Sequence, residues 1–335
     1  MTEPLTESDV QQRLGALDGL REAIGRAVVG QDAVVEQLLV ALLAGGHCML
    51  EGVPGLGKTL LVRTLGQALE LDFRRVQFTP DLMPSDILGT EVLEEEHGTG
   101  HRSFRFQKGP VFTHLLLADE LNRTPPRTQA ALLEAMAERT VSYAGVTHAL
   151  PAPFFVLATQ NPIEQGGTYP LPEAQLDRFL LQLRVDYPDE AEELAIVEQT
   201  TGAGTAEVPR VMDAAAVLAL QALVRQVHVG TDLMQWIVRL VRASRPGEGA
   251  PETVRSYVKW GAGPRAAQSL VLAAKARALL HGRLAATRDD VAALAAPVMR
   301  HRLLLSFAAE AEGVHADDVV EALLREVPPP GTAAD

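Results

Sequence analysis

The chain has 335 residues, of which 47% are hydrophobic, and a net charge of −13. That is enough for one large domain or two ordinary ones with a full core, and the acidic balance opposes non-specific binding to nucleic acid or to an anionic membrane. The single cysteine, Cys48, excludes an internal disulfide framework and fits a reducing compartment. The polar opening "MTEPLTESDV" is unlike a secretory leader. The apolar run "LLVALLAGGHCML" is too short and too broken by glycine to span a bilayer, so a cytoplasmic protein without membrane insertion is expected.

Residues 1–17 read as a polar N-terminal segment, and helical periodicity over 18–44 is interrupted at Gly30. "HCMLEGV" (47–53) reads as a buried strand, 58–70 as a helix and "FRRVQF" (73–78) as a second strand. "PDLMPSDILGTEV" is punctuated by Pro80, Pro84 and Gly89. Two alternating stretches joined by "HGTG" then predict a hairpin. "THLLLADE" (113–120) is the strongest buried strand, "PPRTQAALLEAMAER" (125–139) a helix with proline in its first turn, and "TVSYAGVTHAL" (140–150) a second hairpin around Ala144-Gly145. "FFVLATQN" (154–161) and "LLQLRVDY" (180–187) complete the strands. Strands alternating with helices imply a parallel sheet covered on both faces. From Pro188 the chain is Ala/Leu/Val/Arg-rich, with helices expected at 189–200, 213–228, 231–245, 264–282, 288–302 and 316–326, a Thr287–Asp290 capping pair, and no convincing strand. The expected organisation is an α/β domain over 18–187, an all-α domain over 188–327 and a disordered tail over 328–335.

"GVPGLGKT" (52–59) satisfies G-x-x-x-x-G-K-[ST] between a strand and a helix. Its glycines let successive N–H groups face one anion, and the helix N-terminus adds a positive dipole end. Gly52, Val53, Pro54, Gly55, Leu56, Gly57, Lys58, Thr59 and Leu60 are therefore candidate phosphate contacts. Lys58 would reach the β- and γ-phosphates and Thr59 would give a hydroxyl to Mg²⁺. "LLLADE" (115–120) carries Asp119 to a strand's carboxyl end as the second Mg²⁺ group, with Glu120 beside it as general base. No Asn-Lys-x-Asp signature follows, so ATP is favoured over GTP. "ATQNP" puts the neutral amide of Asn161 at the end of the next strand.

In "TYPLPEAQLDRFL" (168–180), a helix opening at Pro172 would gather Leu176, Phe179 and Leu180 on one apolar face. Arg178 would then point about 150° away from that face.

These pieces together resemble the AAA+ ATPases, and the MoxR family in particular. The resemblance covers about residues 20–327 and rests on "VVGQDAV" (28–34), "GVPGLGKT", "FTPDLMPSDILGTEV" (78–92), "GPVFTHLLLADELNRTPPRTQAALLEAMAER" (109–139), "ATQNP", "GTYPLPEAQLDRFL" (167–180) and "GAGPRA" (261–266). It implies a P-loop α/β domain with a helix-2 insertion and a hairpin before sensor 1, then a small helical lid, with ATP between them in a homo-oligomeric, usually hexameric, ring. By the same resemblance Val28, Val29, Gly30 and Gln31 flank adenine, Asn161 is sensor 1, and Arg265 is sensor 2, reaching from the lid to the γ-phosphate. His114 and Gly263 stand where relatives often have Asn and Ser. Arg178 becomes the arginine finger that enters the next subunit's site, with Asp177 holding its guanidinium in line; Arg123 is a second candidate for contact in trans, and Arg127 a weaker one.

The resemblance implies a chaperone-like remodelling or maturation factor acting on a client protein with a von Willebrand factor A domain partner. Alternatives are the ATPase subunit of a magnesium chelatase-like complex and a nucleic-acid motor, the latter opposed by the acidic balance. A nucleotide-gated binding module is opposed by the intact set Lys58, Asp119 and Glu120.

Overall fold

The computed structural model describes residues 7–52, 56–95, 102–161, 167–201 and 207–329, with side chains from Arg13 onward. The elements of the α/β part are α1 (Glu7–Gly25), α2 (Asp32–Leu43), β1 (Cys48–Gly52), α3 (Lys58–Ala68), β2 (Phe73–Gln77), α4 (Pro84–Leu88), β3 (Gly89–Glu95), β4 (Arg102–Lys108), β5 (Leu115–Asp119), α5 (Pro126–Glu138), β6 (Thr140–Tyr143), β7 (Val146–Ala149), β8 (Phe155–Gln160), α6 (Glu173–Leu176) and β9 (Leu181–Val185). Five strands form one sheet in the order β2-β5-β8-β1-β9, with every neighbouring pair parallel. A parallel sheet covered on both faces was the expectation, and the side chains show why it forms. Cys48, Leu50, Leu115, Leu117, Leu157, Leu181 and Leu183 feed one core, while Met49, Leu116, Ala118, Val156 and Ala158 feed the other. Successive strand residues point to opposite faces, so strands buried on both sides must be apolar at consecutive positions.

α1 begins at Glu7, inside the stretch read as a polar segment, and buries Leu17, Leu20 and Ile24. Its apolar positions are too sparse for the first two turns to register as a periodic pattern. Both expected hairpins are present: β3 pairs with β4 from Gly89↔Lys108 to Glu95↔Arg102, and β6 pairs with β7 around Ala144 (φ 48°) and Gly145 (φ 82°). Two successive positive φ values make the type I′ turn that favours a small residue and glycine. The "HGTG" turn of the first hairpin lies outside the described residues. Phe106 of β4 stacks on His148 of β7 at 4.5 Å and meets Tyr143 of β6 at 5.4 Å, so the two hairpins pack through aromatic rings.

The helical part comprises α7 (Glu190–Thr201), α8 (Ala214–Gln226), α9 (Thr231–Ala243), α10 (Glu252–Tyr257), β10 (Val258–Trp260), α11 (Pro264–Leu280), α12 (Arg288–Met299), β11 (Leu304–Leu305), α13 (Phe307–Glu312) and α14 (Ala316–Glu326). The six expected helices occur, although Arg300–Arg302 is a 3₁₀ turn after α12. The expectation of no strand is corrected: β10 and β11 form an antiparallel pair. Strands of three and two residues are too short to show alternation. Thr287 and Asp290 do cap α12, with Thr287 N–H donating to the Asp290 carboxylate at 2.8 Å. Arg277 and Arg283 pair with the same buried carboxylate at 2.8 and 2.6 Å. Among the described residues, no helix is long and apolar enough to cross a membrane. The 330–335 portion of the tail expected to be disordered lies outside the described residues.

Candidate active site

In a parallel sheet all carboxyl ends lie along one rim. Here the register sets Gln77 beside Asp119, and the pairs Ala118↔Ala158 and Glu51↔Gln160 line up the ends of β5, β8 and β1. A cleft of about 260 Å³ opens at that rim, lined by Gly57, Lys58, Thr59, Arg75, Asp119, Glu120, Thr159 and Asn161. Tertiary structure therefore brings together Lys58, Thr59, Asp119, Glu120 and Asn161, which the sequence singled out separately. Gly52 ends β1, Leu56 is half-buried, and Leu60 is exposed at 45% in the first turn of α3. Val53, Pro54 and Gly55 lie outside the described residues.

Lys58 Nζ donates to the Gly52 carbonyl at 2.5 Å, folding the side chain back over the loop. Partial burial pulls the Lys58 pKa down, and the charges of Asp119 and Glu120 oppose that shift. Gly57 caps α3 in the left-handed conformation without a side-chain acceptor. The first N–H groups of the helix thus have no side-chain cap where an anion would bind. Asp119 Oδ1 accepts from Thr159 Oγ1 at 2.7 Å, and Oδ2 accepts from Arg75 Nη2 at 2.6 Å. Glu120 has φ 56°, a left-handed conformation that costs a non-glycine residue energy and recurs at functional sites. Its backbone N–H is fixed by Thr159 Oγ1 at 2.8 Å, and its Oε2 accepts from Gln77 Nε2 at 2.7 Å and Arg123 Nη1 at 2.8 Å. The donor set suits a triphosphate with a divalent cation: an ammonium, a hydroxyl and a helix N-terminus for phosphate oxygens, and carboxylate lone pairs for metal-bound water.

Val28 is buried at the end of the segment leading to α2, and Val29, Gly30 and Gln31 are half-buried. Gln31 Nε2 donates to the Leu56 carbonyl at 3.2 Å, tying this segment to the phosphate loop. Gly30 has φ 68°, a left-handed conformation that favours glycine, and the Glu192 carboxylate of α7 lies close by, 2.7 Å from where a Cβ would stand. Gln199 Nε2 of α7 donates to the Arg26 carbonyl at 2.7 Å.

Arg178 and Arg265 are elsewhere. A second cleft of about 420 Å³ is lined by His47, Glu138, Asp177, Arg178, Arg265 and Arg302 among others, and it shares no lining residue with the first. Arg265, expected to reach its own γ-phosphate, pairs here through Nη1 with Asp177 Oδ2 at 3.2 Å. Asp177 does not hold Arg178; its carboxylate is taken by Arg265 and by Arg302 Nε at 2.7 Å. Arg178 is exposed, and its Nη1 donates to the Leu133 carbonyl of α5 at 2.7 Å. Arg123, expected to act in trans, contacts Glu120 of its own chain. Arg127 is exposed on α5. The single apolar face expected after Pro172 divides in two: α6 ends at Leu176, Phe179 joins the core of Met49, and Leu180 joins the core of Leu50. The chain is already becoming strand, and adjacent residues take opposite faces.

Sequence reasoning missed Arg75, Gln77 and Thr159. Arg75 and Gln77 are two apart in β2 and so share a face. That signal was legible, but the partner strand that gives it meaning was not. Larger hollows of about 840 and 620 Å³ lie around Arg210 and carry no convergent catalytic set.

Comparison with known proteins gives a consistent picture. A family model described as "ATPase family associated with various cellular activities (AAA)" matches residues 47–181, and one described as "AAA lid domain" matches residues 251–323. Chaperone MoxR1 of Mycobacterium tuberculosis is 43% identical over 91% of this chain and 80% of its own length. The uncharacterized protein YeaC of Bacillus subtilis is 41% identical over 92% of this chain and 93% of its own. The crystal structure of a presumptive ATPase from Cytophaga hutchinsonii superposes with a TM-score of 0.88 at 40% identity, covering 96% of this chain and 98% of that one.

Proposed function

The chain belongs to the MoxR family of AAA ATPases, and from that premise we propose that it hydrolyses ATP in a homo-oligomeric, hexameric ring whose sites are completed by arginines from the neighbouring subunit. Val28–Gln31 flank the base beside α7, and Lys58 and the N-terminus of α3 bind the phosphates. Mg²⁺, held by the Thr59 hydroxyl and through water by Asp119, would neutralise charge on the β- and γ-phosphate oxygens when bound. Glu120, fixed by Gln77, Arg123 and Thr159, accepts the proton of the attacking water. Asn161 supplies a neutral amide at the same rim.

The observation that carries this reading is the separation of the two clefts. The strand-end cleft holds the groups for binding and deprotonation. The exposed cations Arg178 and Arg265 lie in another cleft of the same chain. A second copy can deliver them across an interface, and guanidinium suits that role because it stays charged and its planar fork matches phosphate oxygens. The chaperone name of the mycobacterial relative supports a protein client, and with it the von Willebrand factor A domain partner that the family resemblance implies.

Arg178→Ala should bind ATP but lose hydrolysis by about 10³–10⁵, as known trans arginines do. Mixing it with Lys58→Ala subunits should restore part of the rate, because an intact phosphate loop then meets an intact finger. Full turnover by strictly monomeric protein would sink the proposal.

A further inference from the structure

The cation that carries Arg178's neighbourhood is not Arg178 itself. Arg302, in the 3₁₀ turn after α12, is 9% exposed, and a guanidinium so far from water requires full pairing. Its partners are concentrated on one short segment. Nε donates to Asp177 Oδ1 at 2.7 Å, and Nη2 donates to the Phe179 carbonyl at 2.7 Å and the Asp177 carbonyl at 3.4 Å. Nη1 donates to the Leu180 carbonyl at 3.3 Å. The remaining contacts anchor the group to the lid: Nη2 to Ser269 Oγ on α11 at 3.3 Å, and Nη1 to the Val298 carbonyl on α12. The adjacent His301 adds Nε2 to the Phe179 carbonyl at 3.1 Å, and the Leu180 N–H is held from the other side by the His47 carbonyl at 2.8 Å.

The residues on both sides of Arg178 are therefore fixed by the lid, while the Arg178 side chain points away from the lid, its Nη1 donating to the Leu133 carbonyl of α5 at 2.7 Å. We propose that Arg302 is a positioning residue: it clamps the Asp177–Leu180 turn to the lid and thereby sets the direction of the Arg178 guanidinium. The inference rests on the reading of Arg178 as a trans finger. It adds that the lid of one subunit governs catalysis in its neighbour. Lysine cannot substitute, because an ammonium is a point donor that cannot fork across a carboxylate and three carbonyls at once.

The test is steady-state ATP hydrolysis by full-length Arg302→Lys, alone and mixed with Lys58→Ala subunits, with Arg178→Ala measured in parallel. The expected result is a kcat lower by about 10- to 100-fold, the cost of a misplaced catalytic group, with KM for ATP within about twofold of wild type. Turnover should recover on mixing, because the Lys58→Ala subunit brings a correctly held finger to an intact phosphate loop. Asp177→Asn, which keeps the shape but removes one anchor, should show the same pattern and serves if Arg302→Lys does not fold. Wild-type kcat in both variants while Arg178→Ala is inactive would overturn the clamp alone. So would a raised KM that mixing does not repair, since the defect would then lie in the variant's own site. Full activity of Arg178→Ala would remove the finger, and the clamp with it.

Discussion

The strand-end cleft and the lid-side cleft differ in charge and in how they are built. In the first, two consecutive carboxylates at the end of β5 face Lys58 at the start of α3, and one hydroxyl, Thr159 Oγ1 of the neighbouring strand β8, links the Asp119 carboxylate to the Glu120 backbone. The sheet register brings these groups to one rim, and hydrogen bonds from neighbouring side chains hold them there. In the second, Arg178, Arg265 and Arg302 come from the α6–β9 turn, the start of α11 and the turn after α12, and Asp177 is the carboxylate that pairs with both lid arginines. The first is lined by residues of the α/β part alone, whereas the second is lined by residues of both the α/β part and the lid.

The largest effect that could break this comparison is at Glu120. Glu120→Gln should lower hydrolysis by about 10²–10⁴ with ATP binding retained, read by turnover against nucleotide affinity. Wild-type turnover would move the base away from the strand ends. The next test falls on the lid-side cleft. His47 is buried, accepts from the Val156 N–H at 3.1 Å through Nδ1, and lies 3.2 Å from the Met136 carbonyl through Nε2. It is therefore held as the neutral Nε2–H form, and burial pushes its pKa down to about 4, with Arg139 adding to the shift. A histidine that charges more readily when unfolded stabilises the fold fully above pH 6.5. That stability is lost as pH falls towards 4, on the order of 3 kcal/mol in total. Urea titrations between pH 7 and 4 should show this slope. His47→Asn should remove part of it and leave part, because burial also holds His301 well below its ordinary value. A slope unchanged by His47→Asn would break the assignment. The smallest effect sharpens the first cleft. Thr159→Val keeps the shape but removes the partner of Asp119 Oδ1 and of the Glu120 N–H, while Arg75 still holds Asp119 Oδ2, and a lost buried hydrogen bond of about 1–3 kcal/mol predicts a roughly tenfold fall in kcat. An unchanged kcat would mean that the strand register suffices without the hydroxyl.

Much of this was legible in the chain. "GVPGLGKT" and "LLLADE" each carry their chemistry locally, since a phosphate loop needs only its glycines, lysine and flanking strand and helix, and an apolar strand ending in acids needs only its own pattern. Parallel strands were legible from the alternation with helices, and the two hairpins from their alternating residues and turns. What the sequence could not determine was which side chains from distant strands and lid elements share a cleft. Arg75 and Gln77 read as polar positions of a strand until pairing with β5 set them against Asp119 and Glu120. Asp177 lies next to Arg178 in the chain, yet it belongs to Arg302 and Arg265 in space. The sequence by itself determined the inventory of chemistry, because local spacing decides which groups can face one anion. Only the tertiary structure decided the allegiance of each arginine, because a guanidinium on a long, flexible stem pairs with whatever carboxylate or carbonyl the packing of lid on sheet brings within reach.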